Sequence, residues 1–190
     1  KPLIKKGEDY KPLLWVPKNI FLDVKIYELF SLIKSEILFE KNKLFIEKKS
    51  HLDDFIELNG VDLETLNFIV IIDSNKPFNV DLETLTRRNE VLLLPIPEDA
   101  FSIKILSQVK TYPKENSSLE GLYESNQMFC TQCEPEGFRK ITWFTDRPDC
   151  LAVFKVRIEG SNQYSTMLSN GNLIEEGIVS VEGKETDRHF

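Results

Sequence analysis

The stretch from residue 129 to residue 144 is the most informative part of the chain and reads Phe129-Cys130-Thr131-Gln132-Cys133-Glu134-Pro135-Glu136-Gly137-Phe138-Arg139-Lys140-Ile141-Thr142-Trp143-Phe144. It opens with a C-x-x-C spacing, and its middle is a Glu-Pro-Glu-Gly run of the kind that usually forms an exposed turn. Its end is rich in aromatic residues, which belong by default in a core or at a domain interface. An exposed turn beside apolar packing is therefore predicted here.

The sequence on either side of this stretch alternates between apolar and polar residues, which is typical of half-buried strands. Three alternating sets stand out: Ile20, Leu22, Val24 and Ile26; Phe101, Ile103 and Ile105; and Ala152, Phe154, Val156 and Ile158. Two short apolar runs, Phe68 to Ile72 and Val91 to Leu94, are typical of buried strands.

Two further segments carry a different pattern. Residues 23–40 are ambiguous, because apolar residues at positions 26, 30, 33 and 37 also fit helical spacing. Asn170-Gly171 predicts a tight hairpin between residues 164–169 and 172–179. Taken together, the patterns predict an all-β, antiparallel protein with few helices. No convincing linker divides the chain, so we expect a single domain over residues 1–190.

Composition limits the function classes. The 190 residues are 41% hydrophobic and 29% charged with a net charge of −7, as in a soluble globular domain and without the basic stripe that nucleic-acid binding needs. No stretch approaches the roughly 20 apolar residues that span a bilayer, and the start carries no apolar signal segment. An odd set of three cysteines favours a reducing compartment, so we expect a cytoplasmic protein with no nucleic-acid or membrane partner.

Generic chemical motifs do not form a complete active site. Cys130 and Cys133 could be a redox pair or half of a zinc site, but Cys150, His51 and His189 supply no matching ligand spacing. Two reduced cysteines are the favoured interpretation. Neither a zinc-protease helix motif, H-E-x-x-H, nor a glycine-rich phosphate loop is present. We therefore expect no metal site and no catalytic residue in this chain.

Several motifs occur in a recognisable order around the central stretch. They are Asp9-Tyr10-Lys11-Pro12, Leu119-Glu120-Gly121-Leu122-Tyr123, the central stretch itself, Asp146-Arg147-Pro148-Asp149, Met167-Leu168-Ser169-Asn170-Gly171-Asn172 and Asp187-Arg188-His189-Phe190. In this order they closely resemble the N-terminal domain of the aminopeptidase N family of gluzincin zinc metallopeptidases. The resemblance covers nearly the whole chain and is densest between residues 119 and 172.

The resemblance implies an antiparallel β saddle or distorted β-sandwich that packs against a separate catalytic domain, and it favours strands over a helix for residues 23–40. It also implies that the loop with Gln132 and Glu134 reaches into the active-site cleft. There Glu134 would bind the α-ammonium of a peptide with a free N-terminus, and Gln132 would line the same pocket. The zinc ligands of the family lie outside this chain, so the fragment alone is expected to be inactive.

Two alternatives stay open. The chain could be a free-standing β-sandwich binding module, with Trp15, Tyr123 and Trp143 as an aromatic platform. Glu134 could also be no more than an exposed turn residue.

A domain that packs against a catalytic partner should expose an apolar patch, to which we expect Phe138, Trp143 or Phe144 to contribute. Arg139, Arg147 and Asp149 are expected to hold the loop rather than touch substrate.

Overall fold

The computed structural model of the chain describes residues 7, 10, 12–42, 54–181 and 184–189. His51 therefore lies outside the described residues, and residues 180, 181 and 184–189 are described by their backbone alone. The strands are β1 (Trp15–Ile26), β2 (Ser31–Lys41), β3 (Phe55–Asn59), β4 (Glu64–Ile72), β5 (Phe78–Asn79), β6 (Thr86–Arg88), β7 (Val91–Pro95), β8 (Ser102–Thr111), β9 (Gly121–Ser125), β10 (Met128–Gln132), β11 (Val153–Ser161), β12 (Gly177–Val181) and β13 (Lys184–His189). Two short 3₁₀ turns, Leu82–Thr84 and Phe138–Lys140, lie between strands.

Three sheets are built from these strands. The large sheet has eight strands in the order β12-β13-β11-β1-β2-β8-β4-β5, a second sheet has the order β3-β7-β6, and β9 pairs with β10 in a separate hairpin. All pairs are antiparallel except β1 with β11, which run parallel. The all-β prediction is confirmed, with one parallel pair in an otherwise antiparallel sheet. Within the described ranges no helix is long and apolar enough to cross a bilayer.

The ambiguous segment at residues 23–40 forms the end of β1 and most of β2. In β2, Ser31, Ile33, Ser35, Ile37 and Phe39 are all buried, so the segment has the period of two that defines a strand. The sequence hides this period because a serine stands at the central inward position. The helical spacing of the apolar residues was therefore misleading, and the resemblance gave the right answer.

The buried face of the large sheet is covered by the three-stranded sheet and by residues 138–146. Its largest contributors, each nearly or fully excluded from solvent, are Ile20, Ile33, Ile37, Phe39, Val70, Ile103, Ile105 and Val109. The three-stranded sheet adds Ile56, Leu58, Leu92 and Leu94 to the same core. Burial of each such side chain contributes about 1.5–3 kcal/mol, so this core fixes where the covering segments lie.

The hairpin predicted at Asn170-Gly171 is wrong. No strand occurs between residues 162 and 176, and β12 begins only at Gly177 and pairs with β13. Gly171 does adopt a positive φ of 92°, so the turn signal has a local effect. The flanking residues make no ladder, however, because a turn needs cross-strand side-chain pairs to become a stable hairpin. Leu168 and Ile174, 80% and 78% exposed, pack against little.

Candidate functional site

The candidate site begins at the end of the β9–β10 hairpin. Asn126 and Gln127 form its tight turn with φ values of 51° and 63°, the left-handed conformation that two-residue hairpins favour. The register places Gln132, the last residue of β10, opposite Gly121, the first of β9. Gln132 is therefore fixed by a strand on one side, and the exposed turn follows directly from it.

Residues 133–137 form this turn, which we call the presenting turn. The Gly137 N–H donates to the Cys133 carbonyl over 3.0 Å, which closes the turn, and the Gln132 side-chain amide donates to the Glu134 carbonyl over 2.9 Å. The Glu134–Pro135 peptide is cis, and Glu136 has a φ of 63°. A left-handed φ costs a non-glycine residue about 1–2 kcal/mol, so the turn depends on its surrounding contacts.

The two glutamates of the presenting turn have different partners. The Glu136 carboxylate lies 3.5 Å from the Arg139 guanidinium. Glu134 is exposed, and within the described part of the chain its carboxylate makes no hydrogen bond and no ion pair. The carboxylate of Glu134 is thus available to an external cation, while that of Glu136 already has an internal one. The Gln132 side chain is also exposed, beside Glu134.

Arg139 anchors the presenting turn from the 3₁₀ turn that follows it. Its side chain is only 10% exposed, and its guanidinium donates to the Asp146 carboxylate over 3.0 Å, to the Asp146 carbonyl over 3.2 Å and to the Glu90 carboxylate over 3.1 Å. Burial alone would lower the pKa of Arg139, but the bonds to Asp146 and Glu90 outweigh it, and the pKa is raised. The arginine therefore stays charged while nearly buried.

The segment after Arg139 is tied to both sheets. Thr142 is buried and shares its hydroxyl with Ser35 and Ser107 of the large sheet, at 3.0 and 3.3 Å. Phe144 exchanges two backbone hydrogen bonds with Asn59 of β3, over 2.7 and 3.1 Å. The Trp143 indole N–H donates to the Thr65 hydroxyl over 2.9 Å. These bonds hold residues 138–146 rigidly across the core, so the presenting turn has a fixed base on this side as well.

The three cysteines are free thiols. Burial raises the pKa of the Cys133 thiol, and the carboxylates of Asp146 and Glu134 raise it further. Burial likewise raises the pKa of Cys150, to about 12. A reactive or metal-binding cysteine needs the opposite shift, because the thiolate is the reacting form. For Cys133 and Cys150, burial therefore favours the protonated thiol.

Within the described ranges, no group of three or more His, Cys, Asp or Glu side chains is placed to hold a metal ion. The described residues therefore supply no ligand set for the zinc that the resemblance implies. A polar cleft of 260 Å³ lies between Tyr112, Asn116, Ser118 and Lys140, and neither Gln132 nor Glu134 lines it. The presenting turn is thus a projection that could form one wall of a site, not a pocket by itself.

Of the three aromatic residues named as candidates for an exposed apolar patch, only one has appreciable solvent-exposed surface. Trp143 and Phe144 are 3% and 5% exposed and do not contribute, whereas Phe138 is half-buried and stays a candidate. Both rings fill the core because residues 138–146 cross it. Three exposed apolar side chains lie close together in sequence at the start of β11 and just before it: Leu151, Val153 and Phe154. Phe154 also contacts Phe138 edge-on, with ring centroids 5.9 Å apart.

The structure brings the two predicted site residues together at one turn, and Arg139 supports that turn as expected. Arg147 and Asp149 form a separate pair, with two bonds of 2.9 and 2.7 Å, and Asp149 also accepts from the Tyr10 hydroxyl. Sequence reasoning missed Glu90, which reaches Arg139 from a position 49 residues earlier. No local pattern around Glu90 indicates this contact.

The fold and this turn define a mostly β domain that presents one free carboxylate from a rigid base. The family described as Peptidase M1 N-terminal domain matches residues 20–189. The chain therefore belongs to this family. The resemblance inferred from the ordered motifs is confirmed.

Named relatives agree with this assignment. Aminopeptidase N of Caulobacter vibrioides is 33% identical over 96% of this chain and 19% of its own length, and that of Haemophilus influenzae is 32% identical over 98% and 19%. Aminopeptidase N of Escherichia coli is 37% identical over 71% of the chain and 14% of its own length. The chain thus spans about a fifth of the length of the relatives it matches most completely.

A solved structure shows the same fold. The crystal structure of Legionella pneumophila aminopeptidase A in complex with aspartic acid superimposes with a TM-score of 0.77 at 23% identity, over 97% of this chain and 20% of that one. The distorted β-sandwich predicted from the resemblance is confirmed.

Proposed function

We propose that this chain is the substrate-anchoring domain of a zinc aminopeptidase, an enzyme that removes the first residue from peptides. In this proposal Glu134 binds the α-ammonium of the peptide, and Gln132 lines the same pocket. The observation that carries it is the difference between the two glutamates of the presenting turn: Glu136 is paired with Arg139, whereas the exposed Glu134 has no partner in the described part of the chain.

The short length of an ammonium–carboxylate hydrogen bond allows such a carboxylate to recognise the end of a peptide. A charge-assisted hydrogen bond between an ammonium and a carboxylate has a length of about 2.7–2.9 Å, which leaves little positional slack. Only the first residue of a peptide carries an α-ammonium, and an internal peptide nitrogen has no charge to replace it. A carboxylate on a rigid base therefore measures one residue from the chain end, and Glu134 sets the register of cleavage.

Other parts of the site lie outside this chain in the proposal. A catalytic domain holds the zinc, breaks the peptide bond and packs against this domain. The exposed apolar side chains Leu151, Val153 and Phe154 are suited to such a contact. We place the enzyme in the cytoplasm, since the three cysteines are unpaired thiols.

The alternative of a free-standing binding module has little support. Its aromatic platform required Trp15, Tyr123 and Trp143 at the surface, but Trp15 and Trp143 are each only 3% exposed. Buried rings cannot stack on a glycan or a partner.

The test is Glu134→Ala in the full-length enzyme, assayed on one peptide with a free N-terminus and on its N-acetylated form. A hydrogen bond to a charged group is worth about 1.5–3 kcal/mol, so kcat/KM for the free peptide should fall roughly 10- to 150-fold. Glu134→Gln keeps an acceptor without the charge and should lie between wild type and Glu134→Ala. The acetylated peptide should be a poor substrate for wild type and lose little more in the variant.

Glu136→Ala is the matched control, because it removes a carboxylate from the same turn. The Glu136 side chain is 70% exposed and its carboxylate lies 3.5 Å from the Arg139 guanidinium, so loss of this ion pair should cost at most about 1 kcal/mol. The pH profile gives a second readout: the α-ammonium titrates near 7.7–8.0, so the advantage of wild type over Glu134→Ala should shrink above about pH 8. Equal activity of Glu134→Ala and wild type on free peptides would refute the proposed role, and loss only in Glu136→Ala would move it to Glu136.

A further inference from the structure

We infer that Arg139 is the positioning residue of the amine-binding site: it fixes the presenting turn so that Glu134 is held at the place where the ammonium binds. This inference rests on the proposed function of Glu134. Arg139 is not expected to touch the peptide, since its side chain is 10% exposed and is surrounded by carboxylates of this chain.

The contacts of Arg139 join three separate parts of the fold. Its guanidinium bonds to Glu90, between β6 and β7, and to the carboxylate and carbonyl of Asp146. It also lies 3.5 Å from the Glu136 carboxylate of the presenting turn itself. A planar guanidinium has five N–H donors in a fixed fork, so it can serve three acceptor groups in defined directions at once.

The backbone of Arg139 is fixed as firmly as its side chain. Its N–H donates to the Asp146 carboxylate over 3.1 Å, and its carbonyl accepts from the Val61 N–H over 3.0 Å. Asp146 is in turn held by the side chain of Asn59, whose amide oxygen accepts from the Asp146 N–H over 3.0 Å. Only Gly137 and Phe138 separate Arg139 from Glu136, so a shift of this anchor moves the whole turn.

Arg139 has a second effect on the choice between the two glutamates. Because its charge faces Glu136, an incoming ammonium meets repulsion on that side of the turn and a free carboxylate on the other. The same residue thus positions Glu134 and reduces the competition from Glu136.

The experiment compares Arg139→Gln and Arg139→Lys in the full-length enzyme. The readout is the ratio of kcat/KM for a free-amine peptide to kcat/KM for its N-acetylated form. Loss of folded enzyme lowers both values equally and leaves this ratio unchanged, whereas a displaced Glu134 lowers the ratio alone. A displacement near 1 Å costs up to about 100-fold, so Arg139→Gln should lower the ratio about 10- to 100-fold. Arg139→Lys keeps the charge and the fold but cannot serve three acceptors in the same directions, so its ratio should be intermediate.

Arg157→Gln is the matched control, because Arg157 also pairs with two carboxylates, those of Asp23 and Glu159, within the large sheet. It should leave the ratio within about twofold of wild type. If Arg139→Lys folds and keeps the wild-type ratio, while Glu134→Ala lowers it, the positioning role of Arg139 is refuted and the role of Glu134 stands. If Glu134→Ala itself keeps the ratio, the proposed function fails first.

Discussion

Replacing Gly137 by alanine tests whether the position of the presenting turn matters, without changing any charge. A Cβ on Gly137 would lie 2.4 Å from the Gln132 carbonyl oxygen and 2.8 Å from the Cys133 Cα. Both atoms belong to the backbone, so no side chain can swing away to make room. The φ of Gly137 is −89°, which alanine adopts freely, and the whole effect is therefore steric.

The size of the effect follows from this overlap. To reach an ordinary contact distance, the turn must open by about 0.6–1.0 Å around the hydrogen bond from Gly137 to Cys133. Overpacking of this kind costs about 1–3 kcal/mol. For a domain of this size each kcal/mol lowers Tm by about 2–4 °C. If Glu134 moves with the turn, kcat/KM for free-amine peptides should fall about 10- to 100-fold.

The assay pairs this variant with Gly171→Ala. Gly171 has a φ of 92° and open space around its Cβ position, so alanine there strains the backbone by about 1–2 kcal/mol but displaces nothing. Tm measured on the isolated chain should fall in both variants. In the full-length enzyme, only Gly137→Ala should lose the preference for free over acetylated peptides. A normal preference in Gly137→Ala, or an equal loss in Gly171→Ala, would refute the reasoning.

Three further predictions concern the chain itself. In a variant with Cys130 and Cys133 replaced by serine, iodoacetamide at pH 8 should label Cys150 on the order of a thousandfold more slowly in the native state than in denaturant. The reason is that the pKa of Cys150 is raised to about 12, so little thiolate is present. A native labelling rate within tenfold of the denatured rate would contradict this prediction. Since the folded thiol keeps its proton longer, stability should also fall as pH rises from about 9 towards 12. The isolated chain should fold, hydrolyse no aminoacyl reporter and bind no zinc, and stoichiometric zinc in purified chain would overturn our interpretation of Cys130 and Cys133.

Sequence patterns predicted the strands that are buried on one side and failed where apolar residues gave a mixed signal. Alternation located β8, and the short apolar runs located β4 and β7. In β2 the side chain of Ser35 points into the core and forms a hydrogen bond of 2.8 Å with Ser107 on the neighbouring strand β8. A polar residue therefore occupies a core position, which hydrophobic periodicity does not predict. The ordered motifs compensated for this, because they reflect the whole domain rather than one segment. The parallel pairing of β1 and β11 depends on contacts more than 130 residues apart and has no local signal.

The site was predictable only in part for the same reason. The Glu-Pro-Glu-Gly run indicates a turn, but its composition does not say which glutamate is free. That distinction depends on Arg139, which is in turn held by Glu90 and Asp146. A carboxylate 49 residues away in sequence thus helps to decide which side chain of the turn is available. Periodicity and turn propensity describe neighbours along the chain, and this choice is made by neighbours in space.

The burial of the aromatic residues is likewise decided by contacts in space. Trp143 and Phe144 were named with Phe138 as core or interface residues, and the structure places these two in the core. There the chain folds straight back over the sheet, where Thr142 joins the buried hydroxyls of Ser35 and Ser107. The presenting turn depends on this packing of the following segment over the sheet. A flexible flanking segment would let Glu134 move by more than the length of a charge-assisted hydrogen bond can vary. The aromatic rings therefore serve the proposed function from inside the core, by keeping the base of the turn immobile. The surface that we propose for contact with a catalytic domain lies elsewhere, at Leu151 just before β11 and at Val153 at its start, whose side chains are 85% and 71% exposed.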